Sequence, residues 1–200
     1  FYVTGSTGVG KSTQIPKLLM YALKSMDFNS KGNVICTQPR VTPTTENASR
    51  IADELGLPIT QHNNRLNQSV VEPNFTVQYK YQEGSHIGNT TQTSLKIVTD
   101  GTLFMELNNP CLKKRINNKK TNDYIYQDKN IYDIVIVDEA HEHNANMDLI
   151  LTLMKNAMYY NNSIKLVIIS ATMADDEPIY RRFYRDINDN RLYPLNNDNR

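Results

Sequence analysis

Short apolar runs alternate with longer amphipathic stretches along the 200-residue chain. The runs are rich in β-branched and aromatic residues, which is typical of buried strands. We predict strands at Phe1–Thr4, Asn33–Thr37, Phe75–Lys80, Leu95–Val98, Ile131–Val137 and Lys165–Ile169. Apolar residues recurring every three to four positions predict helices at Lys11 to about Met26, at about Thr44 to Leu55, and beginning near Thr102, Asn146 and Asp176. This alternation predicts an α/β domain with a mostly parallel sheet and helices on both faces.

Residues 108–130 interrupt the alternation, because they are rich in Asn and Lys and contain the basic runs Lys113–Arg115 and Lys119-Lys120. We expect a long polar loop here. Charge runs of this kind are typical of solvated surface. A nuclear-targeting or nucleic-acid patch is the alternative.

The charge balance changes little in this picture. Lys and Arg number 22 against 21 Asp and Glu, which gives a formal net charge of +1, so a nucleic-acid contact would have to be local. Cys36 and Cys111 are too few for a disulfide framework and suit a reducing compartment, the cytosol or the nucleus. No apolar run approaches the roughly 18 residues that cross a bilayer, so no membrane partner is expected.

Residues 5–13 read GSTGVGKST and follow the first predicted strand. This is the G-x-x-x-x-G-K-S pattern, in which a glycine-rich turn lets backbone N–H groups surround a polyphosphate at a helix N-terminus. Lys11 adds a cation over the β- and γ-phosphates, and the Ser12 hydroxyl is a ligand for Mg²⁺. Nucleoside triphosphate contacts are therefore expected from Gly5, Ser6, Thr7, Gly8, Val9, Gly10, Lys11, Ser12 and Thr13.

Two adjacent carboxylates, Asp138 and Glu139, follow the buried strand ending at Val137. In a phosphate-loop enzyme such a pair holds Mg²⁺, and Glu139 polarises the attacking water. His141 and His143 do not form a zinc pair in this interpretation, since residues two apart do not share a helix face.

Two other classes of phosphate-loop protein do not fit. Asp53–Gly56 matches the D-x-x-G string of GTPases but lies in a predicted amphipathic helix, and no N-K-x-D string for guanine occurs. The Ser-Gly-Gly-rich signature helix of ABC-type ATPases is also missing from the sequence.

Five strings occur in a telling order. They are GSTGVGKST, Thr37-Gln38-Pro39-Arg40, Val98-Thr99-Asp100-Gly101, Asp138-Glu139-Ala140-His141 and Ser170-Ala171-Thr172. This order resembles the first motor domain of a DEAH-box helicase of superfamily 2. Within that family the sequence resembles the DEAH/RNA-helicase-A-like branch and its viral relatives, including the phosphohydrolase-helicases of poxviruses and other large DNA viruses.

The resemblance implies a RecA-like domain over residues 1–185, with 186–200 starting a connection to a second, absent RecA-like domain. The chain also begins within a strand, so we expect it to be a fragment. In the family the second domain supplies arginine fingers, so we expect the fragment alone to hydrolyse ATP poorly.

The resemblance also implies roles for particular residues. Arg40, Thr99, Asp100 and Gly101 would contact the backbone of a single nucleic-acid strand, with a Pro-Arg turn and an Asp N-cap as the plainer alternatives. Arg50 would stack on adenine or be a solvated helix-face arginine. Ser170, Ala171 and Thr172 would couple hydrolysis to strand separation through His141, which could instead be a satisfied histidine at a strand end. The sequence departs from the family at Arg40-Val41, where a second arginine is usual.

The expected function is that of an ATP-dependent RNA helicase motor, with ATP and Mg²⁺ as cofactors, Lys11, Glu139 and His141 in catalysis, and Ser12, Asp138 and Glu139 at the metal. Its partners would be RNA and the second motor domain. The alternatives are a superfamily 2 DNA helicase or translocase, and a non-hydrolysing ATP-binding assembly factor. The expected location is cytoplasmic or nuclear, or virion-associated if the source is a virus.

Overall fold

The computed structural model describes residues 1–26, 32–57, 75–86, 93–108, 112–117, 124–172 and 176–188. Its strands are Tyr2–Thr4 (β1), Asn33–Gln38 (β2), Phe75–Tyr81 (β3), Gly84–His86 (β4), Thr93–Thr99 (β5), Lys113–Asn117 (β6), Tyr124–Asn130 (β7), Ile134–Val137 (β8) and Lys165–Ser170 (β9). Its α-helices are Lys11–Met26 (α1), Val41–Leu55 (α2), Asp100–Glu106 (α3), Ala145–Tyr160 (α4), Glu177–Phe183 (α5) and Arg185–Asn188 (α6), and a 3₁₀ helix spans Ala140–Glu142.

Seven strands form one sheet in the order β1-β9-β8-β2-β5-β3-β4. The pairings between neighbours are parallel except the one joining β3 to β4 at the sheet edge. The carboxyl ends of the parallel strands therefore share one edge, which is where ligands bind in open α/β sheets. The predicted α/β fold with a mostly parallel sheet is confirmed.

Apolar side chains cover both faces of the sheet, because its central strands alternate their side chains between two cores. In β2, Val34 and Cys36 pack with Met20 of α1 and Ile51 of α2. Ile35, on the other face, packs with residues of α4, α5 and the segment joining α5 to α6. The predicted layering of helices on both faces is thus present, and β2, fully buried along its length, lies at the centre.

The structure corrects the prediction for residues 108–130. A long polar loop is wrong over the described parts, since β6 and β7 pair there as a separate antiparallel hairpin. The basic residues dominated the sequence pattern, whereas the run Tyr124-Ile125-Tyr126 has the high β propensity that the structure uses. Cys111, Lys119 and Lys120 lie outside the described residues, as do residues 189–200.

The predicted strand Ile131–Val137 is also wrong in its first half. β7 ends at Asn130, and β8 begins only at Ile134. Between them the Asp133 carboxylate accepts a hydrogen bond from the Asn33 backbone N–H at 2.9 Å, and the Asn33 side chain donates to the Ile131 carbonyl at 3.1 Å. Together with the backbone bond from the Asp133 N–H to the Asn33 carbonyl at 2.8 Å, these bonds hold the segment before β8 against the start of β2. β4 and α6, both very short, have no counterpart in the sequence prediction.

The carboxyl end of α3 is fixed by a half-buried charge cluster around Glu106. Lys80 of β3 and Lys96 of β5 donate to its carboxylate at 2.7 and 2.9 Å, and the Tyr132 hydroxyl donates to it as well. Burial raises the pKa of Glu106, but the charge of Lys96 and the donated hydrogen bonds outweigh burial and lower it. Glu106 thus stays ionised and joins α3 to the sheet.

In the part of the chain that the structure describes, no helix has both the length and the apolar character needed to span a bilayer.

Candidate active site

The glycine-rich loop at residues 5–10 and the Asp138-Glu139 pair lie at the same edge of the sheet. The loop follows β1, the acidic pair follows β8, and only β9 separates these two parallel strands. Neighbouring strands in a sheet are about 4.8 Å apart, so the two segments are about 10 Å apart at their strand ends. The topology alone brings the two halves of the sequence-predicted nucleotide site together.

The loop has the backbone conformation that phosphate binding requires. Gly8 and Gly10 have φ values of 84° and 86°, in the region that disfavours a Cβ. α1 begins directly after them, and the backbone N–H groups of Thr13 and Gln14 return to the Gly10 carbonyl at 3.2 and 2.8 Å. The exposed loop and the first helical turn thus form an anion site at a helix N-terminus.

The Lys11 ammonium is folded back onto its own loop. It donates to the carbonyl oxygens of Gly5 at 2.7 Å and Ser6 at 2.8 Å. A triphosphate offers stronger, charged acceptors, so Lys11 would exchange these two bonds for phosphate oxygens on binding. The loop therefore holds a cation ready beside the anion site.

Asp138 is fully buried, and each of its carboxylate oxygens is oriented by a hydrogen bond. Gln38, at the end of β2, donates its side-chain N–H to Oδ2 at 2.6 Å, and the Glu139 backbone N–H donates to Oδ1 at 2.9 Å. Gln38 belongs to a motif that the sequence analysis quoted without giving this residue a role. A carboxamide at the end of a fully buried strand was the signal that could have identified it.

Glu139 turns out of the line of β8, with a φ of 54° in the left-handed region. Strained backbone at a non-glycine residue is concentrated at functional sites. Burial raises the pKa of Glu139 above its ordinary value, and the charge of Asp138 raises it further, while His141 and Lys11 oppose the rise.

These residues fit Mg²⁺ by the chemistry of their donors. Ser12, Asp138 and Glu139 offer only oxygen atoms, which Mg²⁺ prefers, and each Asp138 oxygen keeps a lone pair beyond its single hydrogen bond. The two adjacent carboxylates repel each other, which is the charge arrangement a dication would relieve. Among the described residues, no cluster of three or more His, Cys, Asp or Glu side chains is placed to bind a metal by itself, so phosphate oxygens and water would complete the ligand set.

His141 lies between the acidic pair and the end of β9. Its Nδ1 is 3.4 Å from the Glu139 carboxylate and 3.4 Å from the Ser170 hydroxyl. Ser170 also accepts from the Thr172 backbone N–H at 3.3 Å. The structure thus places His141 against the Ser170-Ala171-Thr172 segment, as the resemblance implied.

His143 points elsewhere and makes a different link. Its Nε2 is 3.3 Å from the carboxylate of Asp176, directly before α5. The two histidines therefore contact different partners rather than one shared ion. Nothing in the linear sequence relates Asp176 to residue 143, so this contact could not be predicted.

Arg50 lies on α2 and pairs with Glu54 one turn later at 3.0 Å. Glu54 also accepts from Lys17 and Gln14 of α1, each at 2.8 Å. The hydrogen bond from Lys17, then those from Arg50 and Gln14, lower the pKa of Glu54 to about 2. Arg50 thus sits beside the helix that follows the glycine-rich loop, with its side chain 67% exposed and free to exchange partners.

Replacing Arg50 with alanine is expected to weaken ATP binding by about 2- to 30-fold, the range of a cation–π contact of roughly 0.5–2 kcal/mol. The measurement is titration with a fluorescent ATP analogue. Arg181→Ala is the matched control, since Arg181 is also 67% exposed and also pairs with a glutamate one turn away. Equal affinity of the Arg50 variant and the control would leave Arg50 as a solvated helix-face arginine.

The four residues expected to contact a nucleic-acid strand follow β2 and β5, which are paired neighbours. Arg40 is exposed and makes a weak 3.4 Å bridge to Glu142. Thr99 stands at the N-cap position of α3 without a side-chain capping bond, and its hydroxyl lies 2.9 Å from the hydroxyl of Thr102. Gly101 borders an open cleft of about 300 Å³, shared with Pro39. This cleft is the place where the structure brings the two segments together.

Asp100 differs from its three companions, because its side chain is only 3% exposed. Its Oδ2 accepts from the Asn144 side chain at 2.7 Å. Burial raises the pKa of the Asp100 carboxyl above its ordinary value, and the hydrogen bond from Asn144 offsets this rise only in part. The carboxylate therefore faces the interior, and the sequence analysis did not anticipate Asn144.

Together the fold and the site define a P-loop nucleoside triphosphatase domain. A family model described as DEAD/DEAH box helicase matches residues 1–179. The chain therefore belongs to the DEAD/DEAH box helicase family, and the resemblance drawn from the five motifs is confirmed.

Similar proteins carry consistent names. A protein of Acanthamoeba polyphaga mimivirus, provisionally named an ATP-dependent RNA helicase, is 58% identical over 97% of this chain. The ATP-dependent RNA helicase HrpA of Escherichia coli is 32% identical over 90% of it, and DEAH13 of Arabidopsis thaliana is 30% identical over 87%. The chain spans only 12%, 11% and 12% of the lengths of these three relatives.

Proposed function

We propose that the chain is the first motor domain of an ATP-dependent RNA helicase. The observation that supports this best is geometric: the glycine-rich loop with Lys11 and the Asp138-Glu139 pair follow β1 and β8, which only β9 separates, so they share one edge of the sheet. Family membership and the names of the relatives agree with it.

The proposed reaction is in-line attack of water on the γ-phosphate of ATP. Glu139 accepts the proton of the attacking water, and its raised pKa makes it a stronger base than an ordinary glutamate. Lys11 and the loop N–H groups stabilise the charge that develops on the phosphate oxygens. Mg²⁺, when bound, would neutralise charge on the phosphates, and Ser12 and Asp138 are the residues that would hold it.

His141 would report the state of the γ-phosphate to the rest of the domain. Its Nδ1 contacts Glu139 on one side and Ser170 on the other, so a shift of Glu139 on hydrolysis changes the bond to Ser170. Because Ser170 begins the segment leading to α5, we assign Ser170, Ala171 and Thr172 to coupling.

A second RecA-like domain would complete the active site. This chain spans 12% and 11% of the lengths of the mimivirus and Escherichia coli relatives. We therefore expect a further domain of the same polypeptide to supply arginine fingers. An arginine finger adds about 10³–10⁵ to the rate in related phosphoryl-transfer enzymes. Turnover by residues 1–200 alone would accordingly be slow.

We place the protein in the cytosol or nucleus, where the free thiol of Cys36 would persist.

RNA rather than DNA is the proposed substrate, and strand displacement distinguishes the two. The full-length protein is expected to unwind an RNA duplex with a 3′ overhang, in the presence of Mg-ATP, faster than a DNA duplex of the same sequence. The measurement is release of a labelled strand, with ATP omitted as the control. Equal or faster unwinding of the DNA duplex would favour the DNA helicase or translocase.

A further inference from the structure

A hydrogen bond between Asp100 and Asn144 connects two segments of the proposed motor. One is Thr99-Asp100-Gly101, proposed to contact the nucleic-acid strand, and the other is the acidic-pair loop, residues 138–143. Asp100 is the first residue of α3, within the Thr99-Asp100-Gly101 segment, and Asn144 follows residues 138–143 directly. The Asn144 amide donates to Asp100 Oδ2 at 2.7 Å. The two residues are 44 positions apart in sequence, so this bond is a tertiary contact between two sites.

Asn144 is also fixed from its other side. Its Oδ1 accepts the Met147 backbone N–H at 2.9 Å, which makes it the N-cap of α4. Its amide group is thus fully oriented, with the oxygen towards α4 and the nitrogen towards Asp100. A displacement of Asp100 therefore acts on the beginning of α4 and on the loop that contains Glu139 and His141.

The Asp100 carboxylate depends strongly on Asn144. Its other oxygen, Oδ1, is buried and makes no hydrogen bond of normal geometry within the described residues, and neither does the hydroxyl of Thr37 nearby. A buried carboxylate with one strong donor is costly to leave unpaired. We therefore expect α3, which begins at Asp100, to move together with the acidic-pair loop that precedes Asn144.

Other bonds reach the acidic-pair loop from the Thr37-Gln38-Pro39-Arg40 segment. The buried Gln38 amide donates to Asp138 Oδ2 at 2.6 Å, whereas a second bond from that segment is exposed. Arg40 and Glu142 are 3.4 Å apart, and the Arg40 side chain is 74% exposed. An exposed pair with this separation is screened by solvent and contributes little. For a change that begins at the Thr99-Asp100-Gly101 segment, the Asp100–Asn144 bond is the candidate for transmission, because it joins that segment to the acidic-pair loop.

We propose that Asn144 is a positioning residue through which strand binding at the Thr99-Asp100-Gly101 segment accelerates ATP hydrolysis at Glu139. This rests on the proposed helicase function and adds the route by which RNA would control turnover. In this role Asn144 acts through Asp100 and through the loop that contains Glu139, without contacting ATP. Both residues border the 300 Å³ cleft beside Gly101, so a strand seated there would press on the bond directly.

The test is ATP turnover by the full-length protein with and without a saturating oligouridine strand. In Asn144→Asp two carboxylates face each other, and in Asn144→Ser the side chain is too short to reach Asp100, while Asp and Ser are both good N-caps. Each variant is expected to keep its basal turnover and to lose about tenfold of the stimulation by RNA, the size of a typical coupling between sites. Retention of full stimulation in both variants would overturn the proposal.

A polarity swap separates coupling from mere structure. In Asp100→Asn combined with Asn144→Asp, the donor and the acceptor exchange places and the bond can form again. Stimulation by RNA is expected to recover relative to Asn144→Asp alone, and failure to recover would overturn the proposal. Linkage gives a second readout, because the effect of an ATP analogue on RNA affinity should fall by the same factor as the effect of RNA on ATP affinity.

The wild-type protein distinguishes the two levels of inference. ATP turnover that RNA does not stimulate would overturn the proposed function together with the role of Asn144. Stimulation that is the same in wild type and all Asn144 variants would leave the function standing and remove only the coupling role. Thermal unfolding of each variant checks the fold, since loss of the α4 cap would lower the melting temperature and the basal turnover together.

Discussion

Glu139→Gln is expected to lower the turnover number for ATP by about 10²–10⁴-fold, the contribution of a positioned general base. Glutamine keeps the size of the side chain and removes only the proton acceptor, so Mg-ATP affinity should change by less than about threefold. The measurements are steady-state phosphate release and binding of a fluorescent ATP analogue. Glu177→Gln, a glutamate of similar exposure that pairs with Arg181 on α5, is the matched control and should keep full turnover.

The pH profile gives the same variant a second test. The pKa of Glu139 lies above its ordinary value of 4.5, mainly because the side chain is partly buried and next to Asp138. A base works in its ionised form, so turnover should fall as the pH drops through this raised value, and this acid limb should be absent in Glu139→Gln.

If biological function survives in the variant while turnover vanishes, the protein is an ATP-binding assembly factor instead of a motor.

Lys11→Ala is expected to lower kcat/KM for ATP by at least about 10²-fold, because it removes charge-assisted hydrogen bonds worth roughly 1.5–3 kcal/mol each. ATP affinity should fall as well, in contrast to Glu139→Gln, since Lys11 contacts the phosphates before and during reaction. The measurement is the same pair of assays.

Lys17→Ala is the matched control for this substitution. Lys17 lies on the same helix six residues later, but its ammonium pairs with Glu54 at 2.8 Å. Glu54 keeps Arg50 and Gln14 as partners in that variant, so α1 and α2 stay joined. A Lys11 variant as active as the Lys17 variant would contradict the nucleotide site at residues 5–13.

The sheet, and the meeting of the glycine-rich loop with the acidic pair at one of its edges, could be predicted because each depends on local sequence. Buried strands appear as short apolar runs, and the residues directly after them share one sheet edge whatever the detailed topology. This is why the positions of Lys11, Asp138 and Ser170 followed from the sequence. The GSTGVGKST loop also fixes its own backbone through its glycines, which needs no tertiary information.

The rest depended on contacts between distant residues. The sequence predicts one strand from Ile131 to Val137, whereas β8 begins at Ile134. The hydrogen bond between Asn33 and Asp133 lies just before that start, and it follows from the pairing of β2 with β8, which the sequence does not show. The hairpin of β6 and β7 was hidden because charge and β propensity gave opposite indications in one segment. Asn144 resembled an ordinary surface residue, since its function in capping and bonding Asp100 arises from the packing of α3 against α4.

The charge cluster at Glu106 gives α3 the character of a rigid strut. At its carboxyl end, hydrogen bonds from the two lysines and Tyr132 to Glu106 hold it against the sheet. At its amino end, Asp100 is hydrogen-bonded to Asn144. A helix of seven residues that is held at both ends moves together with the residues that hold it. A nucleic-acid strand that displaced α3 at Gly101 would therefore also shift the beginning of α4, because Asp100 and the first turn of α4 are bonded to the same side chain, Asn144.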